Sequence, residues 1–207
     1  MPRALNFSRI AFLASYAGSS ARRVIEACGA ELMAVPAIII SNNPESAIVE
    51  FAKQRGIRCE VVNVKRCGSE LAVEARLLEL FAELKVDLIV LSGYMRKLGP
   101  SVVQRYAGRI VNIHPALLPK YGGPGMFGMA VHCAVVAAGE RETGITVHEV
   151  NEHYDEGSII AQMTVPVEPG DTAESICERV KAQEPDFLVR TLRNLQQAAT
   201  GTTPIPE

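Results

Sequence analysis

The sequence predicts an α/β fold: a doubly wound, mostly parallel sheet of Rossmann-like type, finished by a C-terminal antiparallel hairpin and a last helix. Three observations predict it. Short apolar runs alternate with segments of helical period along the chain. No repeat, low-complexity tract or linker interrupts that alternation. A chain of 207 residues with 48% hydrophobic content can bury one large core.

Residues 9–15 are a short apolar run that leads through Tyr16-Ala17-Gly18-Ser19-Ser20 into helical spacing over residues 21–28. Residues 32–41, apolar throughout, read as a buried central strand that stops at Ser41-Asn42-Asn43-Pro44. A short helix follows over 45–55, an alternating strand over 58–64, and a helix over 69–84 with Leu71, Ala75, Leu78 and Phe81 at helical spacing. Residues 87–91 form the next buried strand, 101–106 a helix and 108–113 another strand. A helix over 129–138 precedes two alternating runs, 142–150 and 158–167, which read as a hairpin. The last helix starts at Asp171-Thr172 with a capping residue and early carboxylates, and Pro185 is expected to kink or break it. The tail after Thr200 is expected to fray.

Composition excludes several classes. The formal net charge is −2 without basic blocks, so no electrostatic footprint for nucleic acid is present. No apolar run approaches the roughly 20 residues of a membrane span, and residues 1–8 lack the pattern of a secretory signal. Cys28, Cys59, Cys67, Cys133 and Cys177 are odd in number and scattered, which suggests neither a zinc site nor a disulfide framework. A reduced cytoplasmic enzyme without a metal is expected.

The most informative stretch is Asn112-Ile113-His114-Pro115-Ala116-Leu117-Leu118-Pro119-Lys120-Tyr121-Gly122-Gly123. Residues two apart on a strand share a face, so the Asn112 amide and the His114 ring project together. A neutral donor beside a titratable imidazole suits a carbonyl that becomes an oxyanion. By spacing alone, a buried Asn and His satisfied by backbone is an equal reading. Residues 9–28 make a strand, a small-residue loop and a helix start, an arrangement that cradles anions, although Ser19 and Ser20 serve equally as helix caps. Ser92-Gly93-Tyr94-Met95-Arg96-Lys97-Leu98 follows a predicted strand end, where ligands lie in open α/β sheets. Residues 124–129, rich in Gly and Met, read as a flap into the next helix or as core filling. His132 lacks a visible partner and is read as structural, His148 as structural or supporting, and His153 as a loop residue.

Asn112-Ile113-His114-Pro115-Ala116-Leu117-Leu118-Pro119 and the following Tyr121 resemble the signature of the folate-dependent formyltransferases, a likeness that extends over residues 9–194. The resemblance implies one formyltransferase domain over 1–207, with a phosphate-binding half (9–110), a folate and catalytic half (111–195) and a flexible tail (200–207). It implies transfer of a formyl group from N10-formyl-tetrahydrofolate to the amine of phosphoribosylglycinamide in purine synthesis, by a monomer or homodimer without nucleic-acid or membrane partners. Asn112, His114 and Asp155 match the family's catalytic set. Gly18, Ser19 and Ser20 match its phosphate loop, with Tyr16 and Ser20 departing from the usual Gly and Asn. Met95, Arg96, Lys97 and Leu98, with Asn112, Asn151, Glu152, His153, Tyr154 and Asp155, match its folate contacts. Lys181, Ala182, Gln183 and Glu184 match the segment that receives the amine and approaches the phosphate. A basic folate contact expected near Glu70 is missing, with Lys65 or Arg66 as replacements.

In the implied chemistry Asn112 and a protonated His114 stabilise the oxyanion, and Asp155 raises the His114 pKa toward the working range and relays a proton through water. Family members that formylate methionyl-tRNA or hydrolyse formyl-folate share the core motifs, but they usually carry a further domain. A non-catalytic α/β binding protein is the reading from another class; it has no need of Asn112, His114 and Asp155 together.

Overall fold

The computed structural model describes residues 4–201. Its elements run β1 (Arg9–Leu13), α1 (Ser19–Ala27), β2 (Val35–Ser41), α2 (Ala47–Arg55), β3 (Cys59–Val61), α3 (Val64–Cys67), α4 (Glu70–Glu83) and β4 (Leu88–Leu91). They continue with α5 (Pro100–Arg105), β5 (Ile110–His114), α6 (Met129–Ala137), β6 (Glu142–Glu149), β7 (Ile159–Pro166) and α7 (Ala173–Thr200). The strands form one sheet in the order β3-β2-β1-β4-β5-β6-β7. Pairing is parallel from β3 across to β5, then antiparallel from β5 to β6 and from β6 to β7. The doubly wound sheet and its C-terminal hairpin are those the alternation of runs predicts.

The period of two along each strand divides the core. Ile10, Phe12, Ile39, Leu88, Val90, Val111 and Ile113 face one way, against Val24 of α1, Ile48 and Phe51 of α2, and Ile176, Val180, Leu188 and Leu192 of α7. Ala11, Leu13, Ile38, Ile40, Ile89 and Ile110 face the other, against Leu77, Leu80 and Phe81 of α4 and Val102 of α5. Apolar side chains on both faces explain why β1, β2 and β4 read as continuous apolar runs.

Two segments differ from expectation. The strand expected over 58–64 is only β3, because the Asn63 side chain accepts the Arg66 N–H at 2.9 Å and starts α3. Lys65 and Arg66 therefore sit on a helical turn. Pro185 does not break the last helix: α7 continues through it. The N–H that proline lacks would have bonded the Lys181 carbonyl, so continuity rests on the buried face formed by Val180, Phe187, Leu188 and Leu192. The tail from 202 onward and residues 1–3 lie outside the described residues.

The sheet reverses its winding between β1 and β4, and the loops after β1, β4 and β5 open at that switch point. Ser15 ties the loops after β1, β2 and β4 together. Its hydroxyl donates to Asn42 Oδ1 (2.6 Å) and accepts the Met95 N–H (2.7 Å), and its own N–H donates to the Gly93 carbonyl (3.0 Å). On the hairpin side, a Cβ on Gly144 would overlap the Met163 carbonyl oxygen of β7 and reach 2.5 Å from Leu117 Cδ2. Overpacking of this kind costs about 1–3 kcal/mol. Gly144→Ala is therefore expected to lower the unfolding free energy by that amount, read as a lower urea midpoint at an unchanged m-value in equilibrium denaturation.

Candidate active site

A cavity of about 730 Å³ lies over the C-terminal ends of β1, β4 and β5, within the range for small-molecule sites. Tyr16, Gly18 and Ser19 line one end, and Met95, Arg96, Lys97 and Leu98 a second wall. Asn112 and His114 form part of its floor, Asn151, His153, Tyr154 and Asp155 a third wall, and Lys181 and Glu184 of α7 close it. Residues 124–129, rich in Gly and Met, line it as well. Ser20 is buried beneath the loop, and Glu152, Ala182 and Gln183, like Lys65, Arg66 and Glu70, lie off the lining. The wall made by Leu91, Leu98 and Val150 is apolar, and beside it stand the cationic Arg96 and Lys97. Such a slot fits a flat heteroaromatic group with an anionic tail.

Gly18, at φ 58, precedes α1. The Ala21 N–H is taken by Ser92 Oγ at 3.2 Å and the Arg22 N–H by the Gly18 carbonyl at 2.9 Å. The N–H groups of Ser19 and Ser20 remain at the positive end of the helix dipole, which suits an anion.

On the cavity floor the strand register sets the chemistry. Asn112 pairs across β6 with His148, and His114 with Thr146. The His148 Nδ1–H donates to the Glu149 carbonyl at 2.8 Å, so its Nε2 carries a lone pair. That lone pair accepts one Asn112 amide N–H at 3.0 Å, which fixes the amide orientation and leaves a second N–H free to serve a ligand. His148 is thus a working part of the site, a role that no local motif announces. Its pKa is pushed down to about 4, chiefly by burial, with Asp155 opposing and His114 adding, so it stays a neutral acceptor.

The His114 Nε2–H donates to the Tyr121 carbonyl at 2.8 Å, which turns Nδ1 toward Asp155 Oδ2, 3.7 Å away. Asp155 Oδ1 stands 3.5 Å from His148 Nε2, and Asp155 Oδ2 accepts the Gly123 N–H at 2.9 Å. Asp155 itself adopts a left-handed backbone (φ 58), which an Asp tolerates better than most residues. The expected rise in the His114 pKa is corrected here. Burial lowers it below its ordinary value, and the opposing influences of Asp155 and the Tyr121 carbonyl do not make up the difference. His132 is buried on α6 yet borders the cavity, its Nδ1 without a protein partner and its pKa pushed down to about 4 by burial, Lys181 and His114. It is a part of the lining that the sequence reading places in the scaffold.

Burial pushes the Glu184 carboxyl up to about 7 against the pull of Lys181. A carboxyl held so high in the folded state stabilises below its unfolded value, near 4.5, and loses that stability as pH rises toward 7. Glu184→Gln removes the effect. Its stability relative to the parent should therefore improve by about 1–3 kcal/mol between pH 5 and pH 8, measured by urea unfolding at both.

Residues 8–192 match the formyl transferase family model. The chain is similar to the phosphoribosylglycinamide formyltransferase of Haemophilus influenzae, 40% identical over 85% of this chain and 81% of that protein. To the same enzyme of Escherichia coli it is 35% identical over 84% and 81%. Its fold is similar to the crystal structure of phosphoribosylglycinamide formyltransferase from Bacillus halodurans, with TM-score 0.84, 35% identity and coverage of 93% and 97%.

Proposed function

The chain belongs to the formyl transferase family, and we propose that it moves a formyl group from N10-formyl-tetrahydrofolate to the amine of phosphoribosylglycinamide, a step of purine synthesis. The observation that carries this reading is the convergence of Asn112, His114 and Asp155 in one cavity, with His148 orienting Asn112. In this reading both halves of the chain, 9–110 and 111–195, serve one catalytic domain, and five free cysteines suit a reducing cytoplasm.

The folate supplies an electrophilic formyl carbon. Attack by the neutral amine moves an electron pair onto the formyl oxygen. The second Asn112 N–H is the donor for that oxygen, already aimed and therefore free of reorganisation cost. His114 joins it once Nδ1 holds a proton. Burial keeps the ring neutral in the free protein, and the new negative charge beside Asp155 shifts it toward the imidazolium. The attacking nitrogen sheds a proton and the departing folate nitrogen needs one. Asp155, acting through water, takes the first and delivers the second.

The remaining lining divides the two substrates. The phosphate is read by Gly18, Ser19 and Ser20, with Lys181 adding charge, and the glycinamide amine by Glu184. A carboxyl titrating near neutrality can receive either the ammonium or the free amine. The pterin takes the slot between Met95–Leu98 and Asn151–Tyr154, and Arg96 and Lys97 meet the carboxylates of the folate's glutamate tail.

The test is folate-product absorbance on mixing protein, formyl donor and the glycinamide nucleotide. Nucleotide-dependent turnover is expected. Loss of an oxyanion donor typically costs about two to three orders of magnitude, so His114→Ala should fall that far, with Asp155→Asn also strongly impaired. Folate release that ignores the nucleotide would identify a hydrolase instead, in keeping with the 25% identity to a formyltetrahydrofolate deformylase from Pseudomonas syringae. No turnover from a folded protein would overturn the assignment.

A further inference from the structure

The orientation of His114 depends on one carbonyl. A carbonyl oxygen only accepts, so the 2.8 Å bond to Tyr121 places the ring proton on Nε2 and leaves Nδ1 for the cavity. That carbonyl belongs to a residue in an unusual state. Tyr121 has φ 57, the left-handed region, which is disfavoured for a bulky side chain. Such a conformation persists where its surroundings over-determine it. Asp155 supplies one constraint, through the Gly123 N–H, on the cavity side.

A second constraint lies outside the cavity. The Tyr121 hydroxyl donates to Glu140 Oε1 at 2.9 Å, and the Lys120 ammonium donates to the same oxygen at 2.8 Å. Both hydrogen bonds, Lys120 first and Tyr121 second, hold the Glu140 carboxyl below its ordinary range, so it stays ionised. Glu140 follows the end of α6, where its N–H donates to the Val135 carbonyl at 3.3 Å. It does not line the reaction cavity; it borders a separate groove behind the turn, with Leu117, Lys120 and Tyr121. Two consecutive side chains of the turn therefore converge on one oxygen from the rear.

We propose that Glu140 is a positioning residue for His114, acting through the Tyr121 hydroxyl and the Lys120 ammonium on the turn whose carbonyl sets the imidazole tautomer. It touches neither substrate. The proposal rests on the reading of His114 as the reacting imidazole, but its structural half can be measured without turnover.

The experiment combines steady-state kinetics with 15N NMR of histidine-labelled protein, for Glu140→Ala, Glu140→Gln and Tyr121→Phe. Glu140→Ala should lower kcat roughly tenfold with KM for both substrates within about twofold, which is about 1.4 kcal/mol of barrier. In the NMR spectrum His114 should lose part of its Nε2–H population to the Nδ1–H form. Glu140→Gln keeps an acceptor oxygen for both donors and should recover most of the rate and the tautomer. Tyr121→Phe, the gentler change, should fall between the two and stands in if Glu140→Ala does not fold. An unchanged tautomer in Tyr121→Phe and in any folded Glu140→Ala would overturn the proposal, whatever the rate. A shifted tautomer in a protein inactive from the start would support it while removing the proposed reaction.

Discussion

The Asp155 carboxylate is the contact on which the rest of the site depends. One oxygen receives the Gly123 N–H and faces His114 Nδ1; the other faces His148 Nε2. The hairpin loop, the turn after β5 and both imidazoles are thus arranged around a single side chain. The carboxylate reaches them because its backbone takes a left-handed conformation and because Gly122 lacks a side chain: a Cβ there would sit 3.1 Å from Asp155 Cβ and 2.5 Å from Leu118 Cδ2. The close approach of these two loops follows from the backbone at these positions.

The sheet delivers the parts to that point. Three parallel strands end at the switch point, and the buried Ser15 hydroxyl joins the loops after β1, β2 and β4. The antiparallel pairing of β5 with β6 then sets His148 opposite Asn112. A shift of one residue would turn each of these side chains to the opposite face of the sheet. The geometry of the Asn112–His148 pair is therefore a property of strand register, upheld by the apolar layers on both sides.

Burial and charge oppose one another on the cavity floor, and burial prevails in the free protein. His114, His132 and His148 are all held below their ordinary values by desolvation, despite Asp155 beside two of them. Three neutral imidazoles at neutral pH supply acceptors and directed donors without fixed charge. In the proposed reaction, the negative charge that develops then meets an environment with capacity to respond, because the polar groups are already oriented in a low-dielectric setting.

The fold was legible in the sequence because burial imposes a period of two or 3.6 on the side chains, and the alternating runs recorded it. The Asn112-x-His114 pair was legible for the same reason, since residues two apart on a strand share a face. Asp155, distant along the chain, was located by family resemblance. Other features were decided by the tertiary structure. The Asn63 cap shortened β3, and the packing of α7 overrode the breaker Pro185. His148 and His132 drew their significance from neighbours 36 residues or more away in sequence or across the cavity, as with the Asn112–His148 bond. The protonation of His114 was also decided there. Sequence shows which charges are available, whereas the balance between a carboxylate at 3.7 Å and the loss of water is set only when the chain packs.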